Sequence, residues 1–172
     1  MRDTPISLQR ANLLHPAIRQ EVIDSIGIIE NTSFPSTIKI RIVQSLRTLE
    51  EQNELFAQGR TKPGLIVTNA KGGSSYHNYG LAFDFAIMYD KDNNGSYEAL
   101  SWNVDFDFDK DGSKDWQEVV KPFKALGYTW GGDFRSITDN PHIEKAFELN
   151  TNALLIKHNN KDFIPGTTYV RL

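Results

Sequence analysis

His77 and Asp84 are the residues whose types and spacing first indicate chemistry, because imidazole nitrogens and carboxylate oxygens are zinc ligands. A fully extended chain would separate the two residues by roughly 23 Å, so the intervening chain must turn if both are to bind one metal ion. Gly80 lies between them and tolerates backbone angles that other residues avoid. The pair therefore indicates a metal site, and the competing interpretation is two ordinary hydrogen-bonded groups.

A third ligand has to come from elsewhere in the chain. The sequence has no cysteine, which excludes thiolate zinc sites, cysteine nucleophiles and disulfides. The remaining imidazoles belong to His15, His142 and His158, of which His142, in the segment Asp139-Asn140-Pro141-His142, is the best placed. Two histidines and one carboxylate would leave a fourth position for water, as a catalytic zinc requires.

Asp139 and Arg47 are the candidates for the remaining catalytic roles. Asp139 precedes His142 by three residues and could take a proton from the attacking water and later return it to a leaving amine. Arg47 could hold a developing oxyanion or a substrate carboxylate. The competing interpretations are a turn residue before Asn140-Pro141 and a surface charge, respectively.

Hydrophobic periodicity and capping signals predict the elements that position these residues. The predicted helices cover residues 16–29, 49–58, 116–126 and 152–157, and the predicted strands cover residues 37–43 and 81–88. Arg47 then lies at a strand-to-helix junction and Asp84 lies within a strand. Pro122 is expected to kink or restart the third helix, and short strands and turns are expected after residue 128.

Composition and charge restrict the class of protein. A chain of 172 residues with 39% hydrophobic and 24% charged residues is typical of one folded domain. The net charge of −3 and the scattered lysines and arginines predict no nucleic-acid binding. The first twenty residues have neither a signal-peptide pattern nor an apolar membrane span, so we expect a protein made in the cytoplasm that does not insert into a membrane.

An Asp-rich segment, at about residues 90–118, carries a second metal-binding pattern. From Asp107 onward the sequence fills the positions of a twelve-residue calcium loop, including glycine at position six and glutamate at position twelve. The candidate calcium ligands are Asp107, Asp109, Asp111, Ser113, Asp115 and Glu118. A partial repeat begins at Asp90 but has Ser101 where the glutamate belongs. The competing interpretation of the whole segment is a solvated acidic loop.

Three motifs together resemble the M15 metallopeptidases, and more narrowly the L-alanyl-D-glutamate endopeptidases of phage endolysins and bacterial autolysins. The motifs are Ser75-x-His77-x-x-Gly80-x-Ala82-x-Asp84, Trp130-Gly131-Gly132-Asp133-Phe134 and Asp139-x-Pro141-His142. The similarity extends from about residue 42 to the C-terminus and so covers most of the chain.

The resemblance implies an α+β fold in which a small antiparallel sheet carries the zinc site and helices flank it, in one domain over residues 1–172. It implies that His77, Asp84 and His142 bind Zn²⁺. It also implies that Asp139 is the catalytic acid or base, although many members of the superfamily have glutamate there. Arg47 matches an arginine that stabilises the reacting carbonyl.

The function that the resemblance implies is zinc-dependent hydrolysis of the peptidoglycan stem peptide, with the L-Ala-D-Glu bond favoured. A D-alanyl-D-alanine carboxypeptidase or dipeptidase and a non-catalytic wall-binding module remain as alternatives. We expect a monomer that needs Zn²⁺, with Ca²⁺ as a second ion. It would act on the cell wall after release through a separate permeabilising protein.

Overall fold

The fold is built on an antiparallel sheet whose central strand carries Asp84. The computed structural model describes residues 1–2, 5–135 and 137–172. Within these residues the sheet contains β1 (Ile38–Gln44), β2 (Ala82–Tyr89), β3 (Ala99–Ser101), β4 (Thr129–Trp130) and β5 (His142–Glu144). The strand order is β1-β2-β5-β4, and β3 also pairs with β2.

Helices cover the sheet, and three of them begin at residues whose side chains cap them. The α-helices are α1 (Ile6–Ala11), α2 (Pro16–Thr32), α3 (Leu49–Ala57), α4 (Asp115–Ala125) and α5 (Thr151–Asn159). Thr48 and Glu51 form a reciprocal capping box at the start of α3. The imidazole of His15 accepts a hydrogen bond from the backbone of Ala17 at the start of α2.

The core lies between the sheet and the helices. Alternate residues of β1, Ile38, Ile40 and Ile42, are fully buried, as expected for a strand with one face on the core. They pack in one apolar cluster with the buried face of α2 and with aromatic residues of β2 and α4. This packing fixes the sheet, and therefore the residues at its edges, relative to the helices.

The α+β class and the antiparallel sheet predicted from the resemblance are confirmed. Every predicted helix and strand is present, with ends shifted by a few residues. Helix α4 continues through Pro122, so the proline does not restart the helix. Two elements were not predicted, namely the short helix α1 and the strand β3 inside the Asp-rich segment. Among the described residues, no helix is long and apolar enough to span a bilayer.

Candidate metal centre

Three separate elements bring His77, Asp84 and His142 together. His77 lies on a 3-10 turn (Tyr76–Tyr79) that ends at Gly80, whose φ of 68° is in the left-handed region. Asp84 lies on β2 directly opposite His142, the first residue of β5, in the antiparallel register. The turn between His77 and Asp84, which the sequence required for a shared metal, is therefore present.

The ligand atoms of these side chains form a small triangle. His77 Nε2 lies 3.1 Å from Asp84 Oδ1 and 3.1 Å from His142 Nδ1. His142 Nδ1 lies 3.2 Å from Asp84 Oδ1. Ligand atoms about 2.0–2.2 Å from a tetrahedral zinc lie at comparable separations from one another. The donor set of two nitrogens and one oxygen therefore fits zinc.

Hydrogen bonds outside the ligand triangle determine which nitrogen of each imidazole faces the centre. His77 Nδ1 lies 2.6 Å from the carbonyl oxygen of Ser45, and His142 Nε2 lies 2.7 Å from Glu144 Oε2. Both oxygens are acceptors, so each of these nitrogens carries its proton and donates. The opposite nitrogen of each ring is thereby directed at the shared centre, as in other histidine-ligated metal sites.

The charges at the centre are strongly coupled. Burial disfavours the charged form of His142, but hydrogen bonds to Asp84 and Glu144 outweigh burial and raise its pKa to about 9. Burial also opposes ionisation of Asp84, yet the two imidazoles hold the pKa of that carboxyl well below its usual range. A metal ion that binds His142 Nδ1 must therefore compete with a proton for that nitrogen.

The structure places Asp139 beside the centre, on the turn that precedes β5. Its backbone N–H donates to Gly131, and its carbonyl accepts from the N–H of His142. Gly131 is required here, since a Cβ atom at that position would lie 2.3 Å from the carbonyl oxygen of Asp139. The Asp139 side chain is exposed to the cleft, and desolvation together with the charge of Asp84 raises its pKa.

Arg47 lies on the other side of the ligand carboxylate. Its Nη2 is 3.9 Å from Asp84 Oδ2, and its Nη1 donates a hydrogen bond of 2.8 Å to Gln52. The backbone N–H of Arg47 donates to the carbonyl of His77, which ties the arginine to the metal-ligand turn. Arg47 is mostly buried, so it is not the simple surface charge of the competing interpretation.

A cleft of about 590 Å³ opens onto this centre. Its walls include Arg47, Asp139 and the three candidate ligands. The rest of the wall is mostly polar or aromatic and includes Thr68, Asn69, Ala70, Tyr76, Phe134, Ile137, Glu144 and Asn150. All five residues predicted for the zinc-dependent chemistry therefore share one open site.

The Asp-rich segment brings together only part of its predicted ligand set. Carboxylate oxygens of Asp107, Asp109 and Asp111 lie within 4.8 Å of one another. Asp115 differs, because its buried carboxylate accepts hydrogen bonds from the Tyr89 hydroxyl and the Phe108 backbone. Ser113 contributes a backbone N–H that donates to Asp111.

Glu118 lies near the same acidic group, at the start of α4. Partial burial and repulsion from Asp111 and Asp109 raise the pKa of Glu118 to about 7. Asp107 Oδ1, Asp109 Oδ1 and Glu118 Oε2 are buried atoms that find no hydrogen-bond partner among the described residues. Burying such atoms destabilises the folded state unless a cation or a hydrogen-bond donor pairs with them.

Glu144 and Gln52 take part in the site but were not predicted from the sequence. Glu144 has a signal that could have found it: residues i and i+2 of a strand share a face, so it accompanies His142. Gln52 stands five residues after Arg47, within a predicted helix, and its residue type and helical position alone give it no role in the site. The carbonyl of Ser45 is a backbone group, so its role depends on the fold alone.

Comparison with known proteins identifies the family. A family model described as D-alanyl-D-alanine carboxypeptidase, of the M15 peptidases, matches residues 68–145. The peptidoglycan L-alanyl-D-glutamate endopeptidase CwlK of Bacillus subtilis (strain 168) is 42% identical over 131 residues, which are 76% of this chain and 72% of that protein. The chain belongs to the M15 peptidase family.

Two further similarities are more distant. The L-alanyl-D-glutamate peptidase of Listeria phage A118 is 28% identical over 107 residues, which are 62% of this chain but 30% of the phage protein. The crystal structure of the Serratia marcescens L-Ala D-Glu endopeptidase ChiX superposes with a TM-score of 0.55 at 20% identity and covers 86% of this chain and 91% of that one. This structural match supports the fold.

Proposed function

We propose that this chain is a zinc-dependent peptidase that hydrolyses the peptidoglycan stem peptide at the L-Ala-D-Glu bond. The observation that carries the proposal is the convergence of His77 Nε2, Asp84 Oδ1 and His142 Nδ1 within 3.1–3.2 Å, in a cleft that also holds Asp139 and Arg47. The names of CwlK and of the phage relative support the choice of bond.

Each of these residues has a distinct chemical task. His77, Asp84 and His142 would hold zinc, which when bound acidifies water and polarises the scissile carbonyl. Asp139 accepts a proton from the attacking water and later donates it to the leaving amine, so the proton is conserved over the cycle. The guanidinium of Arg47 donates hydrogen bonds to the negative charge that develops on the carbonyl oxygen.

The elevated pKa of Asp139 suits this role. A carboxylate whose pKa lies closer to the working pH is both a better base and a better acid than an ordinary aspartate. Its position on the exposed side of the cleft leaves it accessible to substrate. The turn that holds it also holds His142, so the acid-base group and a ligand are positioned by the same backbone.

A D-alanyl-D-alanine carboxypeptidase is the second candidate, and the description of the matching family model favours it. The same ligands and acid-base group would serve that reaction, so the residues at the centre do not separate the two activities. The products do separate them. An endopeptidase leaves new D-glutamyl N-termini, whereas a carboxypeptidase releases free D-alanine.

The deciding experiment is digestion of purified sacculi by zinc-loaded protein, followed by mass-spectrometric mapping of the released termini. We expect zinc-dependent release with D-glutamyl N-termini, and no release by His142→Ala. Free D-alanine without D-glutamyl termini would instead establish the carboxypeptidase. Binding to sacculi by folded, zinc-loaded protein without any release would favour a wall-binding module.

We also propose that residues 90–118 form a calcium-binding insert, which follows β2 and ends in the first turn of α4. Asp107, Asp109, Asp111 and Glu118 would supply carboxylate oxygens and Ser113 its carbonyl, as in a twelve-residue calcium loop. The buried, unpartnered oxygens of Asp107, Asp109 and Glu118 support this proposal. Asp115 would act only indirectly, since its carboxylate is committed to Tyr89.

The proposed substrate places the site of action in the cell wall. We propose that the protein acts there as a monomer, after release through a separate permeabilising protein. The phage origin of one relative supports this proposal. Sedimentation of the purified protein tests the monomer, and expression with and without a pore-forming partner tests the release.

A further inference from the structure

Gln52 is a fully buried amide that connects two parts of the cleft wall. It lies on α3 with 0% of its surface exposed. Its Oε1 accepts a hydrogen bond of 2.8 Å from Arg47 Nη1. Its Nε2 donates a hydrogen bond of 2.8 Å to the carbonyl of Ala70 and lies 3.5 Å from Thr68 Oγ1. One side chain therefore touches both the arginine and the segment 68–70.

The arginine depends on this contact for its orientation. Arg47 Nη2 is 3.9 Å from Asp84 Oδ2, which is beyond hydrogen-bond distance, and Arg47 Nε has no partner among the described residues. The guanidinium is therefore fixed at its Nη1 end by Gln52, and its Nη2 remains to donate to a substrate oxygen. A fixed donor stabilises developing charge better than a mobile one, because little reorganisation is needed during the reaction.

The segment 68–70 is held from both sides. Thr68, Asn69 and Ala70 all line the cleft. Arg60 donates to the Thr68 carbonyl and to the Asn69 side chain from the solvent side. Gln52 donates to Ala70 from the buried side. Movement of this segment would change the shape of the cleft, and Gln52 ties that shape to the position of Arg47.

We infer that Gln52 is a positioning residue, which sets the Arg47 guanidinium for the reacting carbonyl and fixes the segment 68–70 against it. The inference rests on the proposed peptidase function. An amide suits this position because Arg47 needs an acceptor while the Ala70 carbonyl needs a donor. Glutamate would keep the acceptor but place a carboxylate against the Ala70 carbonyl, and methionine would leave both groups unpaired.

A double-mutant cycle tests the inference. Gln52→Met should lower kcat by about 10- to 100-fold, the loss expected when a catalytic group moves by about an ångström. In an Arg47→Ala background the same substitution should lower kcat by less than about threefold, since the group that Gln52 orients is gone. Gln52→Glu should recover most of kcat but raise KM, because it restores the acceptor for Arg47 and not the donor to Ala70.

Two further measurements separate positioning from a general loss of structure. Hydrogen–deuterium exchange of the peptide around residues 68–70 should rise in Gln52→Met, and bound zinc should be unchanged. Gln20→Met, on the exposed face of α2, is the matched control and should alter none of these quantities. The inference is wrong if the losses in kcat caused by Arg47→Ala and Gln52→Met are additive in the double mutant. It is also wrong if folded Gln52→Glu has a kcat as low as that of Gln52→Met. A wild-type protein that releases no peptide would instead refute the proposed function.

Discussion

The two candidate metal-binding regions are built in opposite ways. At the candidate zinc centre, His77 and His142 are 65 residues apart in the chain, and the fold brings their nitrogens to 3.1 Å. In the Asp-rich loop, Asp107, Asp109 and Asp111 are near neighbours in the sequence and converge through local turns. The ligands of the centre are thus brought together by tertiary structure, whereas the carboxylates of the loop converge because they are close in the sequence.

The contacts around each region follow the same division. The candidate zinc centre is enclosed by groups that come from several elements, including the Ser45 carbonyl, Glu144 and Arg47. The loop instead makes local hydrogen bonds, such as that from the Gly112 N–H to Asp107, and leaves buried oxygens of Asp107 and Asp109 without a partner among the described residues. We therefore expect changes at the centre to affect chemistry far more than folding. Changes in the loop should affect local stability far more than chemistry.

Loss of the acid-base group should have the largest effect. Asp139→Asn should lower kcat by about 10²- to 10⁴-fold, because the amide cannot take the proton of the attacking water. Zinc content, measured by elemental analysis, should be unchanged, since Asp139 lies outside the ligand triangle. Asp133→Asn, an exposed residue on the same connection, is the matched control. Near-normal kcat in Asp139→Asn would remove this residue from the mechanism.

Loss of the hydrogen bond between His142 and Glu144 should weaken metal binding without abolishing it. Glu144→Ala removes the acceptor that orients His142 through Nε2, and contacts of this kind are worth about 10- to 100-fold in metal affinity. Competition with a chromogenic chelator measures the change in zinc Kd. Glu50→Ala, exposed on α3, should leave the affinity unchanged. An unaltered Kd in Glu144→Ala would show that the strand alone orients the imidazole.

The same contrast explains what could be predicted from the sequence. Helical and strand periodicity follows from local burial, so α2, β1 and β2 were predictable from residue types alone. The calcium pattern is also local and was visible as a motif. Residue types made His142 a candidate partner of Asp84, but its place opposite Asp84 across β2 and β5 depends on the register between distant segments, which residue types do not give.

Contacts that form only in the folded chain could not be predicted from sequence patterns. Neither the backbone carbonyl of Ser45 nor the amide of Gln52 has a residue signature, because their roles come from where α3 and the His77 turn meet. Asp115 shows the same limit: the calcium motif does not reveal that its buried carboxylate accepts a hydrogen bond from the Tyr89 hydroxyl.

Calcium should stabilise the protein without being needed for hydrolysis. At a concentration about 100 times Kd, a ligand specific for the folded state adds roughly 2.7 kcal/mol, which corresponds to several degrees in Tm for a chain of this size. Glu118→Gln should lose much of this rise, whereas Glu50→Gln, exposed on α3 and outside the insert, should keep it. An equal rise in Tm for Glu118→Gln and wild type would show that calcium does not bind through Glu118.

The smallest expected effect is the pH dependence of the metal-free loop. Because the pKa of Glu118 is raised to about 7 in the folded protein, its protonated form is favoured by folding. Its contribution to stability is present below the unfolded pKa of about 4.3 and is lost as pH rises through about 7. With calcium chelated, Tm of wild type relative to Glu118→Gln should therefore fall between about pH 4 and about pH 7. Saturating calcium should remove that fall in Tm, since the ion stabilises the ionised carboxylate. If the fall is equally large with calcium present, Glu118 titrates independently of metal binding.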